Sequence, residues 1–133
     1  MTRFFIAYVG TLLVMVALDM VWLGVIAKPF YQQGIGHLMA GRPNIAVAVL
    51  FYLVYAAGLV IFVLAAGTET PGWSRTLLMG ALFGFFAYAT YDLTNLATLR
   101  DWPVGLAALD MAWGSFVSAA SVAAGKAMVD RYG

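Results

Sequence analysis

Apolar residues along this chain fall into four long runs, about Phe4–Ile26, Ile45–Ala66, Leu77–Leu99 and Val104–Ala127. Each run holds at least about 20 residues, enough at roughly 1.5 Å per residue to cross a hydrocarbon layer of about 30 Å. A bilayer leaves backbone N–H and C=O groups without water partners. A spanning segment is therefore a helix, or a strand of a closed barrel with alternating apolar and polar positions. These runs do not alternate. They predict an all-α fold: a polytopic membrane protein built as a four-helix transmembrane bundle, with residues 1–133 as one domain.

Turn residues punctuate the connections. The longest, Lys28–Asn44, holds Pro29, Gly34, Gly36, Gly41 and Pro43. Within it, Pro29–Ala40 has the makings of a short surface helix, weakened by two internal glycines. The second connection holds Gly67, Pro71 and Gly72. The third, Arg100–Pro103, is so short that the runs it joins must be antiparallel neighbours. Pro103 suits the first turn of a helix and Asp101 its cap. Trp73 and Trp102 fall where interfacial aromatics belong.

Composition agrees with lipid as the solvent. The chain is 64% hydrophobic and 10% charged, with mean hydropathy +0.92. A formal charge of +1 and the absence of any basic run give no reason to expect nucleic acid. The cysteine count of zero excludes disulfides, thiol nucleophiles and thiolate metal sites. Arg3 followed by an apolar run resembles a secretory signal, with small residues near Ala27. The run is too long for a signal, and Asp19 interrupts it, so cleavage is not expected. The N-terminus, second connection and C-terminus carry four cations (Arg3, Arg75, Lys126, Arg131), against three on the other face (Lys28, Arg42, Arg100). Positive-inside bias therefore expects both termini in the cytoplasm, with the protein in a bacterial inner membrane.

Three aspartates break the apolar runs: Asp19, Asp92 and Asp110. A charged side chain at the centre of a membrane helix costs roughly 2.5–3.5 kcal/mol even on insertion scales. Simple threading brings all three to one depth. Asp19 and Asp92 each lie seven residues from the end of their runs, and Asp110 lies six from the start of its own. All three carboxyls are expected about 10 Å below one face. On the fourth run Asp110, Gly114, Ser118, Ser121 and Gly125 share one stripe, and small residues mark where membrane helices touch. On the third, Tyr88, Asp92 and Asn95 form a polar stripe, with Gly80 and Gly84 below. Tyr8 lies under Asp19 on the first. The second run brings only Tyr52 and Tyr55 and reads as a wall.

An internal echo adds detail. Ala17–Trp22 matches Ala108–Trp113 at five of six positions, on helices of opposite direction. Each copy sets a carboxylate one turn from an indole, Trp22 or Trp113, whose N–H can donate to it. No lysine, arginine or histidine lies inside the runs at this depth. Three clustered carboxyls cannot all stay ionised there, so at neutral pH at least one holds a proton or a cation is bound. His37, the one histidine, contributes only if the long loop dips over the pocket, which its neighbouring glycines permit. Ser115, Ser118 and Ser121 lack a base for nucleophilic catalysis. The absence of a DxxD repeat on one helix argues against a magnesium–diphosphate site, so no metal and no cofactor are assigned. Helix-gluing hydrogen bonds, worth about 0.6 kcal/mol each, are the plain alternative to a functional cluster.

The run Tyr91-Asp92-Leu93-Thr94-Asn95-Leu96-Ala97-Thr98-Leu99, then Trp102-Pro103, then Asp110-Met111-Ala112-Trp113-Gly114, resembles a bacterial membrane family, domain of unknown function 2177. Asp19-Met20-Val21-Trp22-Leu23-Gly24 fits the same pattern. The resemblance covers essentially the whole chain and implies a four-helix inner-membrane protein. It carries over Asp19, Trp22, Asp92, Thr94, Asn95, Asp110, Trp113 and Gly114 as signature positions. The family brings no activity with it.

The expectation is a polar pocket in the outer half of the bundle, in a protein partnered by membrane lipid, binding a small or amphiphilic ligand with the carboxylates handling protons. Asp19, Trp22, Tyr88, Asp92, Thr94, Asn95, Asp110 and Trp113 are its candidate residues. One class is a binding or transport component, for which four helices imply a homodimer. Another is a lipid-modifying enzyme of the isomerase or hydratase type, one aspartate acting as acid and another as base. An accessory subunit of a membrane complex is the third. A sideways opening between helices favours the enzyme, and a pocket open to water favours transport.

Overall fold

The computed structural model describes residues 2–41, 44–65 and 72–132. Arg42, Pro43 and the second connection from Ala66 to Pro71, Glu69 included, lie outside the described residues.

Helix α1 (Thr2–Val21) continues without a break into a π-helical turn, Trp22–Ile26. A short helix α2 (Lys28–Ile35) follows, with Pro29 in its first turn, and then a 3₁₀ turn at Gly36–Leu38. Pro29 fits there because a first-turn N–H has no intrahelical acceptor. Helix α3 (Ile45–Leu59) is capped by Asn44, whose Oδ1 accepts from the Val47 N–H at 3.2 Å, and also ends in a π-helical turn, Val60–Leu64. Helices α4 (Trp73–Thr98) and α5 (Val104–Tyr132) complete the chain. Among the described residues four helices are long and apolar enough to cross a membrane: α1 and α3 with their π turns, α4 and α5. The chain is a multi-pass membrane protein. α5 runs five residues past the expected end of the fourth run, and α4 starts four residues before that of the third.

α5 is the hub, packed along α1 on one side and along α4 on the other. The stripe of small residues on α5 explains this. A Cβ at Gly84 would land on the Gly114 carbonyl and the Ser118 hydroxyl, and one at Gly125 on the Thr11 hydroxyl. Only hydrogen at these positions lets the backbones come so close, the usual means of membrane-helix association. α3 leans on α1. Its backbone comes near α4 closely only through Val60–Leu64, at the end remote from the long connection. The buried core, Met15, Leu59, Val63, Val117 and Val122, lies toward that same end. Nearer the long connection the bundle opens.

The third connection departs from expectation. Asp101 does not cap α5; its carboxylate meets His37 Nε2 at 3.2 Å, tying the 3₁₀ turn to the α4–α5 corner.

Candidate functional site

Where α3 and α4 diverge, a cavity of about 440 Å³ lies between them and the α1–α5 pair. Its lining comes from every helix: Asp19, Trp22 and Leu23; Tyr31; Ala48, Phe51, Tyr52 and Tyr55; Ala87, Tyr88 and Tyr91; Asp110 and Trp113. Phe51 and Tyr91 stay exposed at the gap, while Asp19 and Asp110 are buried at the back wall, 4% and 8% accessible.

The two indoles of the echoed segments stack face to face, centroids 4.3 Å apart and planes 3° from parallel. Sequence proximity pairs each indole with the aspartate of its own helix. The structure crosses them. Trp113 Nε1, on α5, donates to Asp19 Oδ1 of α1 at 2.8 Å. Trp22 Nε1, from α1, donates at 3.4 Å to the Tyr31 hydroxyl, which donates at 2.5 Å to Asp110 Oδ1 of α5. Tyr52 supplies Asp19 with a second donor at 2.8 Å. Charge-assisted bonds of this kind are roughly twice as strong as neutral ones. The stack thus fixes α1 against α5 and orients both carboxyls. The π turn at Trp22–Ile26 lies beside it, and such turns inside helices concentrate at functional sites.

Asp92 is placed differently. It is fully buried, 0% accessible, but behind Asp110 and not on the cavity wall. Its polar neighbours are the Asp110 carboxyl and the Trp102 indole. Neither its oxygens nor Trp102 Nε1 has a donor–acceptor partner within normal geometry. Asp110 is the electrostatic neighbour of both other aspartates. Among the described residues no three acidic or imidazole groups converge as a metal-ligand set.

Of the remaining candidates, Tyr88 lines the cavity and its ring rests where a Gly114 side chain would be. Thr94 lies outside. Its hydroxyl bonds back to the Thr90 carbonyl and faces outward, as helical threonines often do. Asn95 is half-buried beside Tyr91 and lines no part of the cavity. His37 is exposed and committed to Asp101; it does not dip over the pocket.

Sequence reasoning missed the hydroxyl donors. Tyr52 and Tyr55, read as a wall, both act: Tyr52 binds Asp19, and the Tyr55 hydroxyl pairs with Ser118 Oγ at 2.7 Å. Tyr31 lay on a segment read only as a surface helix. That helix swings the phenol down to Asp110, and burial, then the bond to Asp110, push its hydroxyl above the ordinary tyrosine range. Tyr31 therefore stays a donor at any physiological pH. The available signal was Pro29 opening a helix whose one phenol points back along the chain toward Trp22.

Comparison with known proteins gives one match. The family described as predicted membrane protein (DUF2177) matches residues 4–127, and the chain belongs to that family. No curated protein and no solved structure matches it.

Proposed function

We propose that this member of the DUF2177 family takes an amphiphilic molecule sideways from the bilayer, between α3 and α4, and holds its polar end against Asp19 and Asp110. The observation that carries this reading is the gap itself. Helices α3 and α4 separate beside a cavity whose polar groups sit deep and whose mouth is apolar. Ala48, Phe51, Ala87 and Tyr91 suit a hydrocarbon chain, and the carboxyls with their tyrosine and indole donors suit a head group. At about 440 Å³ the cavity falls within the range of about 300–1,000 Å³ typical of ligand pockets. Helix α2 with Tyr31 covers the side toward the long connection, which supports entry from lipid over entry from water.

The test is retention. Protein purified in a mild neutral detergent is expected to carry a bound amphiphile, detected by native mass spectrometry. Ala48→Trp, which fills the mouth, is expected to fold and lose it. Equal retention by wild type and variant would remove the reading.

A second reading, the lipid-modifying enzyme, is favoured by the same sideways opening and by the adjacent carboxyls of Asp92 and Asp110. Such a pair can pass a proton to and from a bound lipid, which is the equipment of an isomerase or hydratase. Asp92→Asn would then leave the amphiphile bound but unconverted.

In this reading the membrane is the bacterial inner membrane and both termini are cytoplasmic, from the four-to-three balance of cations. The pocket then lies in the outer half. A reporter fused after Gly133 that is active only in the periplasm would invert the orientation and leave the pocket unchanged.

A further inference from the structure

We infer that the head group is a soft organic cation: an alkylammonium-type amphiphile held between the carboxylates and the aromatic walls of the cavity. The inference rests on the amphiphile reading above and specifies its ligand class. Three features of the cavity point to it.

The first is charge. Asp19 and Asp110 face the cavity, and among the described residues no lysine, arginine or histidine lines it. An anionic head would meet two acids in a poorly screened site, a juxtaposition that excludes wrong partners. A cation would supply the missing countercharge.

The second is the wall. Eight of the thirteen lining residues are aromatic, so a head group at the back of the cavity is surrounded mostly by aromatic side chains. Ring faces carry negative potential, and enclosure by them is the known way to recognise quaternary ammonium groups. The rings are also held, not loose. Trp22 stacks on Trp113, and the Tyr55 ring meets both Phe83 and Tyr88 edge-on.

The third is hydrogen-bond supply. Asp19 already accepts from Trp113 and Tyr52, and Asp110 from Tyr31. The carboxylates are positioned by internal donors and offer a field more than free acceptors. A hard metal ion, which needs six or more oxygen ligands, finds no such set among the described residues. An alkylated ammonium needs none.

The experiment uses the full chain in nanodiscs of neutral lipid and equilibrium dialysis against four labelled probes of one chain length. These are dodecyltrimethylammonium, dodecanol, dodecanoate and dodecylphosphocholine, each corrected for uptake by empty nanodiscs. The ammonium is expected to bind at least about tenfold tighter than dodecanol, the equivalent of a desolvated cation–π contact. Dodecanoate should show no specific uptake. Asp19→Asn should reduce the ammonium to the level of dodecanol without changing dodecanol itself. Should that variant fail to fold, the four-probe comparison on wild type still decides. Dodecanol binding as tightly as the ammonium, with Ala48→Trp blocking both, would overturn the cation and leave the amphiphile site standing. Dodecylphosphocholine binding as tightly as the ammonium would also overturn it, because the ligand would then be a zwitterionic lipid head group. Uptake of no probe above empty nanodiscs, or none blocked by Ala48→Trp, would remove both readings.

Discussion

The same helices behave in opposite ways in the two halves of the bundle. In the half near the termini, glycines, serines and threonines let α1, α5 and α4 touch backbone to backbone. Gly10 lies against Gly125 and Met128, and Gly80 against Ala119 and Val122. In the half near the long connection, the small residues of the α5 stripe give way to Trp113 and Asp110, and the facing positions are Tyr52, Tyr88 and Trp22. Rings and carboxyls hold the helices apart there. The changeover is abrupt, at Gly114 against the ring of Tyr88. Residue volume along one stripe of α5 decides where the bundle closes and where it keeps a cavity. The closed half holds the helices together and the open half keeps the cavity, so substitutions in the two halves should separate folding from occupancy of the cavity.

The largest effect is expected in the closed half. Gly84→Val drives a branched side chain into the Gly114 carbonyl, and backbone cannot yield as a flexible side chain can. Its cost should reach or exceed the roughly 1–3 kcal/mol of ordinary overpacking, read as a lowered melting temperature in detergent. Gly24→Ala, near the open half with nothing within 4 Å, should stay within about 0.5 kcal/mol of wild type. Equal losses at the two positions would break the comparison.

Next come the crossed indole bonds. Trp113→Phe keeps the stacking but removes the donor to Asp19. Leaving a buried acceptor short of a partner should cost about 1–3 kcal/mol, moderated by Tyr52. Tyr31→Phe should act similarly at Asp110, where no second donor takes over. Retention of the amphiphile should fall in both, while Gly84→Val acts on folding alone.

The smallest stability effects are expected for Asp→Asn at positions 19, 92 and 110. Size is kept and one oxygen still accepts, while the amide NH2 can donate back to a tyrosine hydroxyl, so losses should stay near about 1 kcal/mol, yet the ability to hold a cation or pass a proton is gone. Normal folding with lost ligand at position 19 or 110, or with ligand bound but unconverted at position 92, supports a functional cluster. Wild-type behaviour throughout, together with loosening in Asp→Leu, would return the aspartates to the role of helix glue.

The fold was legible because lipid permits so few solutions. Four long apolar runs leave the backbone no alternative to helices. Helix facing was legible on α5, where small residues mark the contact side. Rotation and partner choice were not. Asp92 neighbours Asp110 but lines no part of the cavity, and seven residues of rise say nothing about a helix's rotation. Thr94 sits beside Asp92 and Asn95 in sequence but on the outward face, bonded to its own helix. The crossed pairing of Trp113 with Asp19 depends on where two helices meet, which a six-residue echo does not encode. Tyr31 and Tyr52 were hidden because a tyrosine in an apolar run reads as packing until a carboxyl is found within reach of its hydroxyl.

The claim on which the rest depends is that the cavity opens sideways between α3 and α4. With no native cysteine, the pair Ala48→Cys and Ala87→Cys can be bridged across the mouth by a reducible bis-thiol reagent of graded length. Short bridges should abolish amphiphile retention in native mass spectrometry, long ones should not, and reduction should restore it. Retention and exchange of the amphiphile unaffected by the shortest bridge that forms would contradict lateral entry.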